Sequence, residues 1–184
     1  MTPIVSQDYS SMVNFARCKV AGADVTRGKK QAPFGGKVPY DYMMWIDSDI
    51  VFENKNFNAL LWLDKPISSG WYSQPGGCTP VVEEMDDEFF KHHGTYKFIH
   101  SDEMKKLRAP FRADYIGFGW VLVKRGVFES LPYPWFAPKR MRIGDELEDM
   151  CSEDVAFCID ARSEGIEIWV DPAVRVGHEK IVVI

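Results

Sequence analysis

From Tyr40 to Phe52 the chain reads Tyr-Asp-Tyr-Met-Met-Trp-Ile-Asp-Ser-Asp-Ile-Val-Phe, an apolar run that delivers two carboxylates, Asp47 and Asp49, one residue apart. The run predicts a buried strand ending at the carboxylates. In open α/β sheets, ligands collect in the crevice beyond the strand ends. There an Asp-x-Asp pair is a ready site for a divalent cation and the phosphates it carries. The plainer role for such a triplet is a turn or a helix cap.

The rest of the chain alternates strand-like and helix-like stretches, which predicts an α/β architecture. Thr2 to Ser6 reads as a short strand. Asp8 and Ser10 offer caps for a helix carrying Met12, Phe15, Ala16 and Val20 at helical spacing. Residues 26–39, rich in Lys, Gly and Pro, read as a basic linker. Asn54 or Asn56 caps a helix with Phe57, Leu60 and Leu61 on one stripe.

Ile67 to Ser73 then reads as a strand, and Gln74-Pro75-Gly76-Gly77 as a turn. Residues 83–112 read as a polar, irregular excursion in which His92 and His93 are solvated. Tyr115 to Lys124 reads as a strand interrupted by Gly117 and Gly119, glycines that cost stability unless a backbone or ligand must approach closely. Residues 126–131 read as a helical turn. Ser152 caps a helix with Val155, Cys158 and Ile159 on its stripe, and Gly165 stops it. Ile166 to Val170 is the last strand, and Asp171-Pro172 turns the chain toward Gly177-His178-Glu179-Lys180. No repeat or linker divides residues 1–184, so they read as a single domain.

Composition narrows the partners. At 46% hydrophobic and 14% aromatic the chain is globular, not disordered. A net charge of -5 leaves no basic surplus for a nucleic-acid backbone. The spacing of Cys18, Cys78, Cys151 and Cys158 suits neither a zinc site nor a disulfide framework, so reduced thiols are expected. No apolar stretch nears the roughly 20 residues that cross a bilayer. The first residues lack the pattern of a signal peptide, and a cytoplasmic location is the default.

Three groups carry candidate chemistry: Asp47 with Asp49, Glu153 with Asp154, and His178. Hard cations such as Mg2+ or Mn2+ take carboxylate and phosphate oxygens, and Mn2+ also accepts an imidazole. Such an ion stabilises a departing diphosphate as a Lewis acid. Each group also has a structural reading. Glu153 and Asp154 fall in a first helical turn, where carboxylates favour the helix dipole. A lone His is more often hydrogen-bonded than ligating. Trp71, Tyr72, Trp120 and Trp135 are either core or platforms for sugar rings and bases.

In order, the segments are the apolar strand into Ile-Asp-Ser-Asp-Ile-Val-Phe, then Ser-Ser-Gly-Trp-Tyr, then Tyr-Ile-Gly-Phe-Gly-Trp-Val-Leu-Val-Lys-Arg. Ser-Glu-Asp-Val-Ala-Phe-Cys and Val-Gly-His-Glu-Lys close the series. Together, over residues 2 to about 180, the ordered set resembles the GT-A type glycosyltransferases, particularly small virus- and phage-encoded members. The resemblance implies a single-domain GT-A-like fold with a mixed, mostly parallel sheet flanked by helices. It also implies a metal-dependent transfer of sugar from a UDP- or GDP-sugar to a carbohydrate or other hydroxyl acceptor, in the host cytoplasm for a viral member.

Residue by residue, the resemblance implies Mn2+ or Mg2+ on Asp47, Asp49 and His178. It implies donor contacts from Arg17, Asp47, Ser48, Gly117, Gly119 and Lys180, and acceptor contacts from Trp71 and Tyr72. One of Glu153 and Asp154 would be the general base if the anomeric centre is inverted. Two departures stand out. The chain opens at what resembles the family's second strand, so the family's first strand and helix are expected to be missing. Cys18 stands where family members often have Asn after the helix Arg.

Two alternatives belong to other classes. One is a non-catalytic sugar-binding or scaffold protein on a decayed transferase fold. The other is a nucleotidyltransferase or phosphohydrolase, whose two-metal site needs more carboxylates than these segments supply.

Overall fold

The computed structural model of the chain describes residues 2–180. In chain order its elements are α1 (Val13–Val20), β1 (Tyr42–Ile46), β2 (Ile50–Val51), α2 (Asn54–Leu63), β3 (Ile67–Trp71), β4 (Cys78–Val82), α3 (Asp87–His93), β5 (Phe98–His100) and α4 (Ser101–Met104). They continue as β6 (Phe111–Arg112), β7 (Tyr115–Ile116), β8 (Trp120–Lys124), α5 (Val127–Ser130), β9 (Lys139–Ile143), β10 (Leu147–Cys151), α6 (Glu153–Ser163), β11 (Ile168–Arg175) and β12 (Gly177–His178). None of these helices is long and apolar enough to cross a membrane.

The expected mixture of helices and strands is present, but the mostly parallel sheet is not. A five-stranded sheet runs in the order β1-β8-β3-β11-β6. Of its neighbouring pairs, only β3 with β11 is parallel; β1 with β8, β8 with β3 and β11 with β6 are antiparallel. β1, β3 and β11 therefore share one direction, and β8 enters between β1 and β3 in the opposite one. The pattern of each strand sets its burial, not the gap a later strand comes to fill. Three smaller sheets, β10-β9, β12-β2 and β5-β4-β7, complete the set.

Side-chain alternation along β8 divides the core in two. Val121 and Val123 join Trp45, Ile67, Phe118, Phe128, Phe136 and Phe157 in the larger cluster. Trp120 and Leu122 join Leu60, Tyr72, Val174 and Val176 in the smaller one, under α2. Leu60 is fully buried and anchors that helix. Glu53, not Asn54 or Asn56, is the residue at its N-cap. Asn56 instead accepts from the Glu53 N–H at 2.8 Å and donates to the Arg175 carbonyl at 3.1 Å, tying α2 to β11. Asp64 closes the helix in the left-handed conformation at φ 48°.

Several expectations are corrected. Thr2–Ser6 forms no strand, and Ile4 and Val5 are exposed. Met12 and Phe15 also face outward, because α1 buries Arg17 and Cys18 instead. The segment 83–112 is not irregular but holds α3, β5, α4 and β6. Tyr115–Lys124 is two strands in different sheets, with Gly117-Phe118-Gly119 making the corner. The β9–β10 hairpin and β4 were not anticipated. Asp171-Pro172 lies inside β11, where the pairing with β3 shifts register between Val170 and Arg175, a place that tolerates a proline's missing donor. The four cysteines are free, as expected.

Candidate functional site

The carboxylates sit in a tight turn at the end of β1. The Asp47 N–H donates to the Gly119 carbonyl at 3.0 Å, and the Ile50 N–H donates to the Asp47 carbonyl at 3.1 Å. β2 then pairs with β12, setting Gly177 opposite Val51 and His178 opposite Ile50. The Glu179 N–H donates to the Asp49 carbonyl at 2.8 Å. This short ladder brings the far end of the chain onto Asp49. His178 Nε2 lies 3.0 Å from Asp49 Oδ2, and Lys180 Nζ donates to the same oxygen at 2.9 Å.

The other His178 nitrogen, Nδ1, is 3.3 Å from the Ser73 carbonyl, and the ring lies beside Tyr72 at 4.7 Å between centroids. Both ring nitrogens thus face oxygens that only accept. A neutral imidazole has one N–H, so satisfying both contacts takes a second proton or a shared cation. Carboxylate and imidazole together are a donor set that Mn2+ accepts. Among the described residues, no three His, Cys, Asp or Glu side chains converge as a metal-binding group. Asp49 and His178 meet, while Asp47 is turned toward Arg17.

Arg17 reaches this site from α1. Its Nη1 donates to Glu153 Oε1 at 2.7 Å, and Nη2 approaches the Asp47 carboxylate oxygens at 3.3 and 3.4 Å. The guanidinium is buried, with the rings of Phe118 and Phe136 centred 5.3 and 5.8 Å away. Glu153 opens α6, so its carboxylate is delivered by the helix start. Its neighbour Asp154 is more heavily engaged. Asp154 Oδ1 accepts from the Ser152 hydroxyl and from the Val155 N–H, and Oδ2 accepts from the Tyr115 hydroxyl at 3.0 Å. Ser152 therefore spends its hydroxyl on Asp154 and not on a helix N–H, as a cap would.

The charges are tuned in opposite directions. Burial pushes the Asp47 carboxyl up, against the pull of Arg17 and with the help of the Asp49 and Asp154 charges. Burial also pushes Asp49 up, but the Lys180 hydrogen bond and the His178 and Lys180 charges outweigh it and hold that carboxyl below its ordinary value. Glu153 is raised, by burial first and by Asp154 second. The phenols of Tyr72 and Tyr115 are pushed up by burial and by neighbouring carboxylates, so both stay neutral donors at physiological pH.

The other expected site residues separate. Ser48 is exposed at the tip of the turn. Trp71 is buried and gives its indole N–H to the Pro172 carbonyl at 2.8 Å, which places it in the core wall. Tyr72 is also buried, but its ring borders His178. The glycines make room for protein. A Cβ on Gly117 would stand 2.7 Å from Pro80 Cβ, and one on Gly119 2.7 Å from the Tyr72 hydroxyl. Sequence reasoning missed Tyr115, Ser152 and the Phe118–Phe136 platform. Ser152 adjoins the pair in sequence and was read only as a cap, while nothing in the spacing of Tyr115, Phe118 and Phe136 marks them as neighbours of the carboxylates.

No protein-family model matches the chain, and no curated protein matches it. A solved structure described as the crystal structure of A197 from STIV is similar at a TM-score of 0.42 and 14% identity, over 79% of this chain and 69% of that one.

Proposed function

We propose that this cluster of charged side chains is the active site of a divalent-cation-dependent glycosyltransferase, which moves a sugar from a UDP- or GDP-sugar to a carbohydrate or other hydroxyl acceptor. The reading is carried by one observation: Asp49, His178 and Lys180 meet at the end of β1, with Glu153 held nearby through Arg17 and Asp47. Asp49 and His178 would hold the cation, with Asp47 two residues before Asp49. When bound, that cation supplies Lewis-acid stabilisation of the leaving diphosphate.

The remaining work falls to the chain's own groups. Lys180, half-exposed beside Asp49, would pair its ammonium with a diphosphate oxygen. Glu153 or Asp154 takes the acceptor hydroxyl's proton as general base. Raising of the Glu153 carboxyl by burial moves it toward the range in which a base works well. Tyr115 remains protonated and orients Asp154.

The test is release of UDP or GDP from the nucleotide sugar with Mn2+ and a panel of hydroxyl acceptors. Turnover that needs the cation and is lost in Asp49→Ala supports the reading. Absence of turnover with every donor, in protein that also fails to bind them, contradicts it. A second reading is a non-catalytic sugar-binding or scaffold protein, in which Asp49 serves only as the ion-pair partner of His178 and Lys180. It predicts saccharide binding without nucleotide release.

A further inference from the structure

We propose that Arg17 is a positioning residue that fixes Glu153 relative to Asp47 and passes the loss of its Asp47 contact on to Glu153. That this link serves sugar transfer rests on the function proposed above; the link itself does not. α1 is eight residues long and turns its apolar Val13 and Phe15 to solvent, while burying Arg17 and Cys18. A buried guanidinium is costly unless its donors are met by good acceptors. Here two different nitrogens meet two different carboxylates, on β1's end and α6's start.

The two partners are held unequally. Glu153 is the close one, at 2.7 Å and with a side chain 15% exposed. Asp47 is the looser one, at 3.3 Å and 40% exposed. Asp47 is thus free to turn to another cation without breaking the Arg17–Glu153 bond. One positive charge serves two negative ones, so whatever Asp47 gives up, Glu153 receives. Phe118 and Phe136 flank the guanidinium and keep it from following Asp47 outward. The planar fork matters as much as the charge, because an ammonium cannot span both carboxylates in the same geometry.

The link is read from the side-chain carboxyl carbon resonance of Glu153, in 13C-Glu protein at fixed neutral pH, assigned by its loss in Glu153→Gln. Asp47→Asn should move that resonance. In an Arg17→Lys background the same substitution should move it at least about threefold less, as expected when the residue joining two sites is altered. No movement, or equal movement in both backgrounds, overturns the proposal.

Should Arg17→Lys fail to fold, the Arg17 guanidinium nitrogens in otherwise native protein decide the matter. Their slow rotation should be lost in Glu153→Gln, whereas in Asp47→Asn the resonance of the nitrogen bonded to Glu153 should shift while its slow rotation survives; no shift in Asp47→Asn, or slow rotation that survives Glu153→Gln, overturns the link. Adding Mg2+ to the wild type separates the two ideas. If no carboxyl in the site responds to Mg2+, the function proposed above fails, while the Asp47→Asn comparison still decides the role of Arg17.

Discussion

Asp49 and His178 are joined by a two-residue ladder: β2 pairs with β12, and His178 Nε2 comes to rest 3.0 Å from Asp49 Oδ2. The contact depends on backbone register as much as on the side chains. Gly177, opposite Val51, lies so close that an added Cβ would stand 3.1 Å from Val51 Cβ. Anything that opens this ladder separates the imidazole from the carboxylate.

The Asp49 carboxyl is held below its ordinary value, which fixes the sign of its pH dependence. Its contribution is fully present above the ordinary aspartate value of about 3.9 and is lost as pH falls through the lower, folded value. The melting-temperature gap between wild type and Asp49→Asn should be constant from neutral pH down to that point and should close below it. A gap that closes well above it would mean Asp49 is not paired as described.

Lys180→Ala should separate stability from ligand binding. The side chain is half-exposed, so its loss should change unfolding free energy by less than about 0.5 kcal/mol. Calorimetry with UDP or GDP and Mn2+ should show affinity falling several-fold.

Gly119→Ala and Gly117→Ala test what those glycines are for. Each new methyl would meet Tyr72 or Pro80 at 2.7 Å, so chemical denaturation should show a loss of about 1–3 kcal/mol. Had the glycines made room only for a sugar, stability would hold and binding alone would suffer.

The acidic pair at the start of α6 should divide by role. Asp154 uses both oxygens on Ser152, Val155 and Tyr115, so Asp154→Asn should cost about 1 kcal/mol of stability besides any turnover. If Glu153 is the base, Glu153→Gln should lower turnover by about 10²-fold or more. Kinetics and thermal melts on the two variants separate these outcomes.

What could be read from the sequence was local. The run into Asp47 and Asp49 gave a strand because its apolar residues outnumber any helical stripe. The start of α6 was marked by Ser152 ahead of two carboxylates. Asp49 with His178 was reachable only as a pair of motifs, because the ladder joining them is two residues long. The resemblance marked Arg17, but its two ion pairs were hidden for a physical reason: an amphipathic reading sends charges outward, and α1 sends its arginine in to meet two carboxylates. Trp71 misled in the opposite sense, since an aromatic beside a turn looks like a platform until β11 covers it. The insertion of β8 between β1 and β3 reversed the expected strand pairing because no short window encodes strand order.

Titrating Mn2+ into the protein under electron paramagnetic resonance tests the central claim most directly. The account predicts one bound ion per chain, with a nitrogen coupling that disappears in His178→Ala and an ion that is not retained in Asp49→Ala. Wild-type protein that leaves Mn2+ free, or a nitrogen coupling that survives the loss of His178, would contradict it.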